Sequence, residues 1–536
     1  MRRIESDAAE PSPLRWSSCD QAIPLSQATI ARLAELLGPG GPAPELLGGG
    51  SCAPAPCALP ARALEGLRRA LGGDGVLTDE RARIACARGM ATEDLIRLRS
   101  GEPGALPDAV LLPSDHDAVA AALAICSRER IAVVPHGGGT SVVGGIGARS
   151  EGLSGSVALA TRRLDRLLEL DAITQSATLQ AGVVGAAAEQ LLAGRGFTLG
   201  HFPQSFARAT IGGFAATRSA GQASSGYGRF DQNVLALRVA TPRGELALGR
   251  APRSAAGPDL RELFLGSEGA LGVITAVTVA LRRAPQRSSY DAYRLPDFQG
   301  GLELLRQLAQ EGPLPAVVRL SDELESAAEP ALSEAGEQAA QGGCLLVLGH
   351  CGSAQAVARE RAESAAAVAR AGGRPLAGVG ERWHQGRFAA PHLRDLLLDA
   401  GYFAETLESA AFWSALGGER GLYARLRAAL VEALTAEGAR ALVGCHVSHL
   451  YRSGASLYFT VLSRLEQRTL ERWREAKARA GAAIEQVGGT ISHHHGVGSL
   501  HRRELAQELG PLGIALLAAA KRELDPEGIM NPGVLI

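Results

Sequence analysis

Lysine is almost missing from this 536-residue chain, with Lys477 and Lys521 the only two among 55 Lys and Arg residues. Basic charge therefore rests on arginine, and the formal net charge of −1 removes any general electrostatic case for a nucleic acid or an anionic membrane surface as partner. The arginine bias, with the Ala and Gly excess, looks like codon usage in a GC-rich bacterium. No apolar run reaches the roughly 18 residues that a membrane-spanning helix needs. Met1 to Ser17 carry charges but no apolar stretch, so no secretory signal is expected, and Cys19 lacks a lipoprotein leader. The eight cysteines are scattered. Cys52 and Cys57 are a close pair, but their spacing matches no strong zinc pattern, and reduced cytosolic thiols are expected. No repeat is visible. The Gly-x-Gly-x-x-Gly fingerprint of a nicotinamide-binding unit is also missing from the Gly-rich segments.

What is present begins with Gly200-His201-Phe202-Pro203-Gln204-Ser205, followed by Thr210-Ile211-Gly212-Gly213 and Thr217-Arg218-Ser219-Ala220-Gly221. Small residues, Gly turns and hydroxyls suit a backbone lying close against a large polar ligand and donating N–H groups to its phosphates. Upstream, the strand Ile131 to Val134 runs into Pro135-His136-Gly137-Gly138-Gly139-Thr140-Ser141. Downstream, Glu268-Gly269-Ala270-Leu271-Gly272 leads into the β-branched strand that starts at Val273-Ile274.

Around these segments the texture changes in stages. Residues 1–106 read as a helical adaptor, with helices over Ser26–Leu37 and Leu64–Leu71 and a Pro/Gly-rich linker from Gly38 to Pro60. Residues 107–287 alternate short strands and helices in the rhythm of an α/β domain. Residues 288–500 mix longer amphipathic helices (Gly300–Gln310, Ala354–Arg370, Gly421–Leu434, Arg464–Val487) with strands such as Cys344–Leu348 and Ser456–Leu462, as a cap or substrate domain would. Residues 501–536 form a tail with a helix over Pro511–Glu523.

The three Gly-rich segments, in this order, resemble the FAD-binding domain of the vanillyl-alcohol oxidase/p-cresol methylhydroxylase flavoprotein superfamily. The fold class implied is α+β: a two-subdomain FAD-binding domain, an α+β cap and a helical tail returning to the FAD domain. The resemblance implies that FAD contacts Pro135, His136, Gly137, Gly138, Gly139, Thr140 and Ser141 in the first segment. In the second it implies Gln204, Ser205, Thr210, Gly212, Gly213, Thr217, Arg218, Ser219 and Ala220, and in the third Glu268, Gly269, Gly272, Val273 and Ile274. Members that tether FAD covalently in the first loop use a His where this chain has Gly139, so non-covalent FAD is expected.

Within that superfamily, residues 80 to 536 resemble the alkyldihydroxyacetonephosphate synthases, most specifically at Ser492-His493-His494-His495-Gly496-Val497-Gly498. Flavin 2-hydroxy-acid dehydrogenases look like Glu-His-Gly-Val/Ile-Gly there. Neighbouring imidazoles near a flavin can supply a general base and hydrogen bonds to a phosphate. Dehydrogenases of the D-lactate type also carry a metal-binding His-x-Gly-Asp-Gly-Asn-x-His loop. Here His446 keeps its first His, the loop is expanded and Tyr458 stands in place of the second. No metal is expected, although His446 and His449 could cooperate if they met on one side.

The resemblance places the acid/base tyrosine at Tyr458, its phenol pKa lowered by nearby cations. Leu457-Tyr458-Phe459 reads equally as a buried strand. Arg319 and Arg394 match arginines of the family, the second a ligand of the substrate phosphate. An ion pair between Arg394 and Asp395 is the competing reading. The catalytic set is then Tyr458, His493, His494, His495 and Arg319.

The reaction implied exchanges the acyl chain of 1-acyl-dihydroxyacetone phosphate for a long-chain alcohol, as in ether lipid biosynthesis, with the flavin as electron sink. The partners implied are lipid substrates, with room for peripheral membrane contact and a homodimer, in a bacterial cytoplasm. An FAD-dependent dehydrogenase or oxidase of a 2-hydroxy acid or alcohol is the alternative. Departures from the synthases are Arg15-Trp16-Ser17-Ser18 where animal enzymes have Trp-Gly-Trp-Gly, His446 in place of an arginine, and His136 where a small or apolar residue is common. No peroxisomal address is present.

Overall fold

The computed structural model describes residues 12–16, 24–44, 56–150, 152–327 and 342–536. Cys19 and Cys52, the residues before Ser12, and part of the Pro/Gly-rich linker lie outside them. The six described cysteines are free thiols.

Strands β1 (Val76–Leu77), β2 (Ala109–Leu111), β3 (Ala132–His136) and β4 (Ser156–Ala160) form a first sheet in the order β1-β2-β4-β3. The pairs β2–β4 and β3–β4 are parallel. Parallel strands covered on both faces read as continuous apolar runs, and β4 is buried at every position. The helix His116–Glu129 crosses between β2 and β3. Its N-cap Asp115 accepts a hydrogen bond from the Ala118 N–H at 2.9 Å, and Arg130 ends it in the left-handed region at φ 53°.

A second sheet follows from β5 (Leu167–Asp171), β6 (Ser176–Gln180), β8 (Val234–Thr241), β9 (Gly244–Leu248) and β10 (Val273–Ala280), antiparallel in the order β5-β6-β10-β8-β9. Two short strands, β7 (Phe197–Thr198) and β11 (Arg282–Arg283), pair beside it. These two sheets are the two subdomains expected.

The third sheet is antiparallel and seven-stranded. It comprises β12 (Arg287–Leu295), β13 (Val317–Ser321), β14 (Cys344–Gly352), β15 (Arg374–Pro375), β16 (Tyr402–Phe412), β17 (Ala441–Tyr451) and β18 (Gly454–Arg464), in the order β15-β12-β14-β13-β17-β18-β16. Side chains alternate faces along a strand, and here the alternation sorts core from site. Val318, Leu320, Cys445, Val447, Leu457, Phe459 and Val461 join a core with the helices Phe298–Gln310, Leu422–Leu434 and Thr469–Val487. Arg319, Gly444, His446, Tyr458 and Thr460 face the opposite way, into a cavity. The helix expected from Arg464 starts at Thr469, because Arg464 pairs with Tyr402 at the end of the sheet.

The N-terminal residues do not stand apart. Helix Ala61–Leu71 buries Ala63 and Leu67 in the core of the first subdomain, while Leu33 and Leu37 of helix Gln27–Leu37 pack on Leu397, Tyr402 and Leu462 of the cap. The tail helix spans Arg502–Leu524, longer than expected, and breaks at Gly510–Pro511, where Gly510 takes φ 68°. Beyond it the chain returns to the FAD-binding part. The Val133 N–H of strand β3 donates to the Ile529 carbonyl of the tail and the Val133 carbonyl accepts from the Asn531 N–H, both at 2.8 Å, and the Asn531 side-chain amide donates to the Gly145 and Glu268 carbonyls at 3.1 and 2.7 Å.

Candidate active site

A cavity of about 920 Å³ lies between the two FAD-binding subdomains and the bare face of the cap sheet, at the upper end of the ~300–1,000 Å³ typical of small-molecule sites. Every cofactor residue expected from the sequence lines it except Arg218. The three Gly-rich segments also lock onto one another. A Cβ at Gly138 would overlap the Arg208 carbonyl, and one at Gly269, where φ is +77°, would come within 2.7 Å of Pro135 Cγ. Glycine at these positions therefore lets the segments pack against one another at the cavity wall. Buried polar atoms point to a ligand, since His136 Nε2 and Gln204 Oε1 lie at the cavity without hydrogen-bond partners. Burial pushes the His136 imidazole down to about 4, so it meets a ligand as a neutral ring. This donor-rich cradle fits FAD.

Arg218 is a correction. At φ 51° its side chain turns away from the cavity to Asp231 (3.2 Å), Glu262 (2.7 Å) and the Leu265 carbonyl (3.0 Å). It fastens the second segment to the third rather than touching the cofactor.

On the cap side, Arg319, Glu325 and His446 form a closed group. Arg319 Nη2 donates to Glu325 Oε1 at 2.5 Å, His446 Nδ1 meets the same carboxylate at 2.9 Å, and Arg319 Nη1 lies 3.2 Å from His446 Nε2. Burial by itself would raise the Glu325 carboxyl. His446 and Arg319 more than reverse this and hold it low. Tyr458 stands directly across from His446 in the β17–β18 pairing, the rings 4.8 Å apart and nearly parallel. Its side chain lines the cavity. The expected lowering of its pKa is not what the structure gives: burial pushes it up to about 12, against a hydrogen bond from Thr406. Of the cations invoked for that lowering, the histidines fall away because burial also drives His446, His493 and His494 below their ordinary values, and the charge of Arg319 is outweighed by burial and by Glu405 and Glu408.

Arg394 sits on helix Ala390–Asp399 at the cavity wall. Its Nη1 donates to the Met90 carbonyl at 2.5 Å, and its Nη2 approaches Asp395 only to 3.7 Å. Asp395 Oδ2 accepts from the Trp16 backbone N–H at 2.6 Å, while its Oδ1 lies 3.7 Å from both Arg394 Nη2 and Arg99 Nη2 and accepts no hydrogen bond. Arg394 Nε and Nη2 are thus left buried without hydrogen-bond partners.

The His loop is held by two carboxylates that the sequence reading did not connect to it. Glu408, on β16, accepts from Ser492 Oγ (2.8 Å) and from the backbone N–H groups of His493 (2.7 Å), His494 (3.0 Å) and His495 (2.9 Å). Burial would raise this carboxyl, but the facing imidazoles and donated N–H groups hold it well below the usual carboxylate range. A signal was available in two acids, Glu405 and Glu408, set within the apolar strand Tyr402–Phe412. Glu268, expected as a cofactor contact, accepts from Val497 N at 2.7 Å and Gly498 N at 3.0 Å, and burial pushes it up to about 7. It lines the cavity while clasping the Gly-Val-Gly turn.

His494 and His495 reach the cavity, but His493 does not line it. His493 is a second correction, for it packs behind them with Nε2 2.5 Å from the Tyr451 hydroxyl. His449 takes its place at the wall. A β-bulge between Val447 and Leu450 turns His449 to the same side as His446, which a regular strand three residues on would not do. Among the described residues, ligand nitrogens of His449, His493 and His494 lie within 4.8 Å of one another, so His449 meets these two, rather than His446, as a candidate ligand set.

Comparison with known proteins accords with this arrangement. Residues 107–248 match the FAD binding domain family and residues 284–535 the C-terminal domain of the FAD linked oxidases. The chain is 30% identical over 493 residues to an alkyldihydroxyacetonephosphate synthase of Trypanosoma brucei brucei, covering 88% of this chain and 80% of that one. It is 28% identical over 507 residues to an uncharacterized FAD-linked oxidoreductase of Escherichia coli, covering 88% and 97%. Among solved structures, an alkyldihydroxyacetonephosphate synthase superposes with TM-score 0.81 at 24% identity over 97% of this chain and 98% of its own. A p-cresol methylhydroxylase superposes with TM-score 0.69 at 17% identity, over 90% of this chain and 98% of its own.

Proposed function

We propose a function from the premise that this chain belongs to the alkyldihydroxyacetonephosphate synthase-like family of FAD-binding proteins: it exchanges the acyl chain of 1-acyl-dihydroxyacetone phosphate for a long-chain alcohol. The observation that carries the reading is Arg394. Two of its guanidinium nitrogens, Nε and Nη2, are buried at the cavity wall without a hydrogen-bond partner, Nη2 having only the 3.7 Å approach to Asp395, and a buried unpaired donor is costly unless a ligand completes it. A phosphate dianion matches that planar fork of donors.

The three Gly-rich segments would hold FAD, which would supply an electron sink for the exchange. The chain's own residues do the rest. Arg394 binds and orients the phosphate. Burial leaves the His494 imidazole neutral, with a lone pair able to take a proton from the substrate carbon. Tyr458 keeps its proton at ordinary pH, and can donate it to the departing carboxylate and take one back from the incoming alcohol. Arg319, braced by Glu325 and His446, holds positive charge beside these oxygens. Leu442, Leu462, Val379 and Trp383 line the same cavity, giving an alkyl chain apolar surface and keeping water out. The proposal extends to place: a cytoplasmic protein meeting its lipid substrates at a membrane surface, with the exposed Leu512 and Leu516 of the tail helix turned toward it.

The test is to incubate the purified holoenzyme with 1-acyl-dihydroxyacetone phosphate and hexadecanol and look for the ether product by mass spectrometry. Turnover should need no electron acceptor, because the exchange leaves the oxidation state unchanged. The second reading is an FAD-linked oxidoreductase of a 2-hydroxy acid or alcohol, favoured by the neutral His494 beside Tyr458, which equally suits proton removal from a substrate hydroxyl. Rapid anaerobic bleaching of the flavin by D-lactate, glycolate or D-2-hydroxyglutarate, coupled to reduction of a dye, would decide for it.

A further inference from the structure

We propose that His449, His493 and His494 form a binding site for one borderline-soft divalent cation, with Zn2+ as its type, and that occupancy inhibits the enzyme by taking the lone pair of His494. The ligand atoms of the three residues lie within 4.8 Å of one another. Tetrahedral zinc with Zn–N distances of about 2.0–2.1 Å sets its ligand nitrogens about 3.3 Å apart. His493 Nδ1 and His494 Nδ1 are already 3.0 Å apart. Two ring nitrogens at that distance must share a proton, and a cation bound between them displaces it, the neutral ring that carried it keeping it on its Nε2 as the other tautomer.

The outer contacts suit a metal as well. His449 Nδ1 is held by Ser224 Oγ at 2.6 Å and His493 Nε2 by the Tyr451 hydroxyl at 2.5 Å. Such bonds on the far ring nitrogen fix the orientation of metal-binding imidazoles. Charge is provided for by the buried carboxylate of Glu408, 3.7 Å from His494 Nδ1. The nearby cation, Arg229, is neutralised by Asp231 through bonds of 2.7 and 2.9 Å. His449 and His494 both line the cavity, so the remaining coordination position opens toward substrate. His446 is not part of the site, because Glu325 and Arg319 occupy both its ring nitrogens.

Binding does not depend on the proposed reaction; only the inhibition rests on that reading. Zn2+ titrated into metal-stripped, FAD-loaded full-length protein, in competition with a chromophoric chelator, should bind at one equivalent per chain, and X-ray absorption should show three imidazole nitrogens. His449→Ala should weaken binding by more than the ~10–100-fold typical of losing an outer-shell partner, with the flavin spectrum unchanged, whereas His446→Ala should leave it intact. No stoichiometric binding, indifference to His449→Ala, or a shell dominated by sulfur would overturn the site, and the wild-type absorption measurement does so whether or not the variants fold. Stoichiometric Zn2+ should stop turnover and a chelator restore it. Undiminished turnover with the cation shown to be bound would overturn the inhibitory half.

Discussion

Replacing Glu408 with Gln tests the claim that one buried carboxylate organises the His loop. Three donors, Ser492 Oγ and the N–H groups of His494 and His495, converge on Oε1, while the His493 N–H points at Oε2. In the amide, the carbonyl oxygen can keep the first three as neutral bonds, each weaker by about 1 kcal/mol than its charge-assisted counterpart. The NH2 group then faces the His493 N–H and leaves a buried donor unpaired, at a cost of about 1–3 kcal/mol. Flipping the amide orphans three donors instead of one. The expected loss is about 4–6 kcal/mol before the loop relaxes, and about 3–5 kcal/mol after. The measurements are the urea midpoint and hydrogen exchange of the Ser492–Val497 amides, which should lose protection. The effect also has a pH signature. A carboxyl held far below its unfolded value stabilises the fold in full above about pH 4.5, and the stabilisation decays only as the solution becomes strongly acidic. A Glu408→Gln protein that loses less than about 1 kcal/mol, the weakest single term above, with loop protection unchanged, would refute the reasoning.

Other expectations are independent of that one. Tyr458→Phe should abolish turnover and leave FAD bound, because the phenol proton is lost while the ring's stacking on His446 is kept; an active variant would return Tyr458 to a packing role. Arg394→Ala should weaken binding of the phosphorylated substrate by about 1.5–3 kcal/mol, read as KM or Kd; a loss of thermal stability without that effect would favour its contact with Met90 and Asp395 instead. Glu268, pushed up to about 7 by burial, makes the FAD-free protein lose about 3 kcal/mol of stability as pH rises from about 4.5 to about 7. Glu268→Gln should flatten that slope, and an unchanged pH profile would remove Glu268 as its source. Acid or heat denaturation should release free FAD, since Gly139 stands at the tethering position; flavin precipitating with the chain would show a covalent link.

Local pattern made the cofactor cradle legible. A strand followed by a Gly-rich loop is written in consecutive residues, and the three segments recur in the structure as the lining of one cavity. Arg218 misled because sequence places it between Thr217 and Ser219, both at the wall, while its left-handed backbone swings its side chain to Asp231 and Glu262. His493 misled similarly, since three consecutive histidines on a tight loop cannot all face one cavity.

By itself, the sequence determined most of the elements and the Gly-rich segments, because strand alternation, Gly turns and helix periodicity are encoded within a few residues, while the two-subdomain FAD-binding part with its cap followed from the resemblance those segments carry. It left Leu457-Tyr458-Phe459 open between core and site. The β17–β18 register decided it, sending Leu457 and Phe459 to the helices and Tyr458 to the cavity. Charge states were likewise tertiary. The phenol of Tyr458 is raised, and three imidazoles are kept neutral, by burial that sheets and tail create together. The partners that hold the site, Glu408 for the His loop, Glu325 for Arg319 and the Trp16 backbone for Asp395, lie 84 to 379 residues away or only six. Nothing in local sequence sets such pairings, because a hydrogen bond depends on distance in space, and only the folded chain brings those atoms within reach.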